Sequence, residues 1–104
     1  MSGSKQAKVA DVGEVGEGEA RVVDVEGRTL ALFNVAGTFY AMDNACAHRG
    51  GPLGEGDLEG NLIVCPWHAW RWDVTTGRNA NNPAVTMSCY PVRVGPDGIF
   101  VELG

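Results

Sequence analysis

The 104 residues suffice for one domain and not for two, and 44% hydrophobic with 20% charged residues is ordinary globular usage that excludes global disorder. Thirteen acidic against eight basic side chains give a formal net charge of −5, which argues against a nucleic-acid binder with its basic face. No apolar run approaches the roughly 18 residues of a membrane helix, and Met1-Ser2-Gly3-Ser4-Lys5-Gln6 lacks the apolar stretch of a secretory signal, so a cytoplasmic protein with no membrane contact is expected.

Residues 1–6 are polar and expected to fray. Residues 20–25 are rich in β-branched side chains and predict a strand ended by Glu26-Gly27. Residues 29–35 form a second apolar run, closed by Ala36-Gly37, and residues 38–42 follow at once, which predicts a hairpin. Residues 44–60 are too glycine-rich for a strand or a stable helix. Further strands are predicted at 61–64, 70–74, 90–94 and 98–103, the last two joined by the turn sequence Gly95-Pro96-Asp97-Gly98. Residues 75–87 read as one long polar loop, of the kind that often carries function. With 15 glycines punctuating short strands, the fold class is all-β, an antiparallel β-sandwich or barrel in a single domain over residues 1–104.

Chemistry-bearing residues are concentrated in one place. Both histidines and two of the three cysteines fall between Cys46 and His68. An odd cysteine count without a secretory signal makes a disulfide framework a poor reading, so metal or redox chemistry is expected instead. The pattern is Cys46-x-His48, sixteen residues, then Cys65-x-x-His68. Structural zinc commonly pairs cysteine with cysteine and histidine with histidine at other spacings. One thiolate and one imidazole from each of two loops suit a binuclear cluster with sulfur donors on one iron and nitrogen donors on the other. A zinc-stabilised binding module remains the alternative from these residues alone.

At this point the sequence resembles the Rieske family, whose [2Fe–2S] cluster has two cysteines on one iron and two histidines on the other. Cys46-Ala47-His48-Arg49-Gly50-Gly51-Pro52-Leu53 resembles the first family box and Cys65-Pro66-Trp67-His68-Ala69-Trp70 the second, and Trp72-Asp73-Val74-Thr75-Thr76-Gly77 and Tyr90-Pro91-Val92-Arg93-Val94 resemble the strands that follow in soluble Rieske ferredoxins. The resemblance implies one [2Fe–2S] cluster on Cys46, His48, Cys65 and His68. It also implies a basal β part at 1–43 and 74–104, with an inserted cluster-binding subdomain at 44–73. Ala69 stands where the family usually has glycine.

Departures from the family indicate the subtype. Respiratory and photosynthetic members carry an extra cysteine in each box, where this chain has Gly51 and Trp67, and hydroxyl residues at the positions of Trp70 and Trp72. Within the Rieske range of roughly −150 to +300 mV, hydrogen bonds to sulfur raise the potential, so this chain belongs near the bottom. The resemblance thus implies a one-electron carrier, not itself an enzyme, between an NAD(P)H-dependent flavin reductase and a terminal oxygenase of a ring-hydroxylating dioxygenase system. A Rieske subunit of a larger reductase, similar to the small subunit of assimilatory nitrite reductase, shares the ligand pattern. No mononuclear iron triad can be built, because both histidines are used.

The remaining conspicuous residues invite plainer readings. Trp70 and Trp72 fall on one strand face, opposite Arg71 and Asp73, and suit hydrophobic shielding better than electron conduction. Trp67 is a candidate for partner contact. Pro52 is expected to fix the loop that covers the cluster. Cys89 lacks a partner at motif spacing and is expected to be a small, half-buried strand residue. The acidic residues Glu14, Glu17, Glu19, Asp24 and Glu26 are expected to be a solvated face, with docking to a basic partner surface as the other use, shared by Glu55, Asp57 and Glu59.

Overall fold

The computed structural model describes residues 6–44, 52–66, 70–80, 82, 84–87 and 89–103. Among the described residues there are eleven strands, paired antiparallel in three small sheets, and one 3-10 turn. The first sheet joins β1 (Gln6–Ala10), β11 (Gly98–Glu102) and β10 (Val92–Gly95) in that spatial order. The second takes β2 (Ala20–Val25), β3 (Arg28–Val35), β4 (Thr38–Asp43) and β9 (Cys89–Tyr90). The third takes β5 (Asp57–Glu59), β6 (Leu62–Val64), β7 (Arg71–Asp73) and β8 (Arg78–Asn79). The all-β expectation is met, and among the described residues there is no α-helix.

β3 explains how the layers are stacked. Successive strand residues point to opposite faces. Leu30 and Leu32 enter a cluster with Val23, Val25, Ile99 and Val101, while Ala31 and Phe33 join Met42, Leu53, Ile63 and Trp72 on the other side. The continuous apolar run of this strand therefore reflects burial on both faces, with the second sheet packed against the first and the third. The hairpin to β4 is built as its sequence predicts, with Ala36 and Gly37 both at positive φ of 52° and 93°.

The structure corrects several sequence expectations. Gln6 is not frayed: it pairs with Glu102 at the start of β1, an interaction local patterning cannot reveal. The glycine-rich span 44–60 contains the 3-10 turn Leu53–Glu55 and the strand β5. The strand expected at 90–94 is two strands. Pro91 has no N–H to continue a ladder, so Tyr90 pairs with β4 and Val92 turns to pair with β11 in the other sheet. Residues 75–87 are not one open loop. The Gly77 N–H reaches the Asp73 carbonyl at 2.7 Å, the Met87 N–H reaches the Gly77 carbonyl at 2.7 Å, and β8 closes on β7. Cys89 is a strand residue, but it is exposed instead of half-buried.

The acidic N-terminal segment is largely engaged in local structure. The Glu14 carboxylate accepts the Asp11 N–H and the Glu19 carboxylate accepts the Gly16 N–H, each at 2.6 Å, and Asp24 accepts the Thr29 hydroxyl at 2.9 Å. Such turn-closing contacts agree with a solvated face.

β9 is tied to the end of β4 by the Tyr90 hydroxyl, which donates to the Asp43 carboxylate at 2.7 Å. That bond, then burial, raises the phenol above its ordinary value of 10.0, while the Arg28 guanidinium, 5.9 Å from the ring centre, opposes the shift. A folded value above the unfolded one means that the stabilisation is complete below about pH 10 and is lost as pH rises through the folded value. Tyr90→Phe is expected to cost about 1.5 kcal/mol at pH 7, the low end for a bond to a charged group. The deficit should shrink above pH 10 in denaturant titrations. A deficit independent of pH would show that the hydroxyl contributes nothing through this bond.

Candidate metal centre

Of the four ligand candidates, Cys65 is described, and Cys46, His48 and His68 lie outside the described residues, as do Arg49, Gly50, Gly51, Trp67 and Ala69. The geometry that can be read is that of the feet on which the two Cys/His segments stand. β6 ends at Val64 and delivers Cys65 with its side chain buried (1% exposed), in the apolar cluster of Leu53, Ile63, Trp72 and Val74. The Cys65 N–H donates to the Trp70 carbonyl at 2.7 Å, so the chain that leaves at Cys65 returns beside it at β7. This closes the second segment on a rigid hairpin base.

The first segment leaves from Asn44, directly after β4, and returns at Pro52 and the 3-10 turn. The Asn44 backbone carbonyl accepts the Leu53 N–H and its side-chain oxygen accepts the Gly54 N–H, both at 2.8 Å. Pro52 is extended, with φ −77° and ψ 96°, as the residue that leads into the turn. Leu53 is fully buried in the same cluster as Cys65.

A glycine joins the two feet. Gly56 lies so close to the Val64 carbonyl that any Cβ at this position would overlap the oxygen. The strand that returns from the first segment therefore runs directly against the residue that precedes Cys65. Pattern reading could not find this, because close backbone approach across strands leaves only a glycine as its trace.

Under this platform lies the tryptophan pair. Trp72 is fully buried and Trp70 half-buried, with ring centres 6.2 Å apart and planes inclined by 36°. Arg71 is half-exposed on the other face, with its Nε 3.7 Å from the Glu59 carboxylate. Trp72 lies in the same apolar cluster as Cys65, and Trp70 packs against that cluster.

These residues fit a group that needs thiolate donors in an enclosed, apolar setting. The Cys65 thiol is buried within a hydrophobic cluster, and the second Cys/His segment begins next to the return of the first. Residues 5–91 match the Rieske [2Fe-2S] domain family. The chain is 41% identical over 91 residues to the ferredoxin component of the naphthalene 1,2-dioxygenase system of Pseudomonas aeruginosa, with 86% of this chain and 88% of that protein covered. The fold is similar to that of the ferredoxin of carbazole 1,9a-dioxygenase from Nocardioides aromaticivorans IC177, with a TM-score of 0.86, 30% identity and coverage of 94% and 97%. It is also similar to a chain in a complex of reduced oxygenase and oxidised ferredoxin in carbazole 1,9a-dioxygenase, with a TM-score of 0.84, 33% identity and coverage of 92% and 91%.

The chain belongs to the Rieske [2Fe-2S] family. Within it the chain is a ferredoxin, an electron-transfer protein and not a catalytic one, since its relatives are ferredoxin components matched over nearly their whole length. The expectation of an electron carrier with a Rieske-type iron–sulfur cluster is met at this level.

Proposed function

We propose that this chain is the soluble, low-potential electron carrier of a ring-hydroxylating dioxygenase system, taking single electrons from an NAD(P)H-dependent flavin reductase and passing them to a terminal oxygenase in the cytoplasm. Cys46 and Cys65 would supply the thiolates and His48 and His68 the imidazoles. The subdomain at 44–73 would present these residues, with β8 completing its sheet. When bound, the [2Fe–2S] group supplies a site that accepts and releases one electron. The chain's own part is to hold the donors on two braced segments and to keep water from the buried side. Leu53, Ile63 and Trp72, each fully buried, do the latter.

The observation that carries the reading is near-complete similarity to ferredoxin components that serve dioxygenases. These relatives serve naphthalene and carbazole systems, so the substrate belongs to the oxygenase rather than the carrier. Ligand charge and hydrogen bonding bracket the potential from opposite sides. Two neutral imidazoles in place of two thiolates make reduction easier than in a plant-type ferredoxin at roughly −400 mV, while positions 70 and 72 carry indoles and no hydroxyl.

The test is a redox titration of the purified protein, followed by reduction with NADH and a flavin reductase of such a system. Iron and acid-labile sulfide are expected in equal amounts, with a midpoint toward the lower end of roughly −150 to +300 mV. The reduced protein should then pass its electron to a terminal oxygenase. A midpoint near the top of that range, or zinc in place of iron, would overturn the proposal.

A further inference from the structure

A short helical turn leaves its first N–H groups without partners inside the turn, and a side chain just before the turn usually satisfies them. Here the preceding residue is Pro52, which gives the turn no side-chain cap. The acceptors come instead from Asn44, upstream of the first ligand segment, where the backbone carbonyl takes the Leu53 N–H and the side-chain oxygen takes the Gly54 N–H. Asn44 is fixed on its own side, since its N–H donates to the Thr29 carbonyl at 3.2 Å and its neighbour Asp43 holds the Tyr90 hydroxyl.

The far end of this clamp cannot slide. Gly54 is buried against β2, where any Cβ would stand 2.6 Å from a Val22 methyl and 2.8 Å from the Val22 nitrogen. Water has little access to the Gly54 N–H, so without the Asn44 oxygen that donor is buried and unpaired. Leu53, the other clamped residue, lies in the same apolar cluster as Cys65.

We propose that Asn44 is a positioning residue for the cluster: its two carbonyls lock the departure and return of the segment that carries Cys46 and His48, and so set that segment relative to Cys65. The proposal rests on Cys46 and His48 being ligands. Its content beyond that reading is that the side-chain oxygen of Asn44 controls how tightly and how uniformly the group is held. Asn44→Ala removes the acceptor, whereas Asn44→Asp keeps an oxygen at the same place.

The experiment compares wild type, N44A and N44D as holoproteins. One reading is the rate at which the visible cluster absorption bleaches at fixed temperature. The other is the line width of the EPR signal after dithionite reduction. N44A is expected to bleach about tenfold faster, the scale seen when an outer partner of a metal ligand is lost, and to give a broadened signal. N44D should match wild type in both. If N44A does not fold, Asn44→Leu, which keeps the volume and drops the acceptor, takes its place. An acceptor-free variant with wild-type bleaching and line width overturns the proposal, even if its melting temperature falls. So does an N44D as defective as N44A. Failure of the ligand reading is distinct, because wild type itself would then show no iron-based signal.

Discussion

Cys65→Ser is expected to yield a colourless protein with less than a hundredth of the wild-type affinity for iron. Loss of partners that merely support a metal ligand already costs about 10–100-fold in metal affinity, and loss of the ligand itself should exceed that. A serine hydroxyl stays protonated where a thiol becomes a thiolate, so the replacement removes charge as well as sulfur. The site adds a second penalty. Cys65 is buried among Leu53, Ile63, Trp72 and Val74, and placing a more polar hydroxyl in that apolar setting costs about 1–3 kcal/mol. Iron analysis and visible absorption measure the first effect and thermal melting of the apoprotein the second. A serine variant that keeps the full iron content and the same spectrum would remove Cys65 from the ligand set.

The largest expected loss of stability comes from Trp72→Ala. Trp72 is the largest fully buried side chain among the described residues, and its neighbours across the third sheet are Ile63 and Asn79. Truncation of a buried tryptophan costs about 3–5 kcal/mol, a large share of the 5–15 kcal/mol that holds a typical domain together. For a domain of this size the melting temperature should fall by more than about 12 °C. The cavity would open directly beside Cys65 and Leu53, the described foot residues of the two ligand segments, so cluster loss should accelerate together with unfolding. Trp70→Ala should cost less, because that side chain is only partly buried. A Trp72→Ala protein within about 1 kcal/mol of wild type would mean that the third sheet does not depend on this packing.

Local chemistry made some of the architecture legible and non-local pairing hid the rest. The β3–β4 hairpin could be read because its apolar runs and its turn at Ala36-Gly37 lie within sixteen residues, from Arg28 to Asp43. β1 could not, since Gln6–Ala10 becomes a strand only by meeting β11 from the opposite end of the chain. β5 has three residues between glycines and is held by its ladder to β6. The break at Pro91 carries a visible cause, the missing N–H, but the change of sheet depends on what lies beside each half. At the site, the spacing of cysteine and histidine named four ligand candidates. The devices that brace them, an asparagine acting across the first segment and a glycine pressed on the Val64 carbonyl, have no signature in spacing, because each works through backbone brought near by the fold.

In the proposed cluster, nitrogen donors would hold one iron and sulfur donors the other. Pulsed EPR of the dithionite-reduced protein tests it most directly. Strong coupling of the unpaired electron to two histidine nitrogens is expected, with one coupling lost from any iron-containing His48→Ala or His68→Ala protein. A reduced cluster with no such nitrogen coupling, or a protein that carries no iron at all, would contradict it.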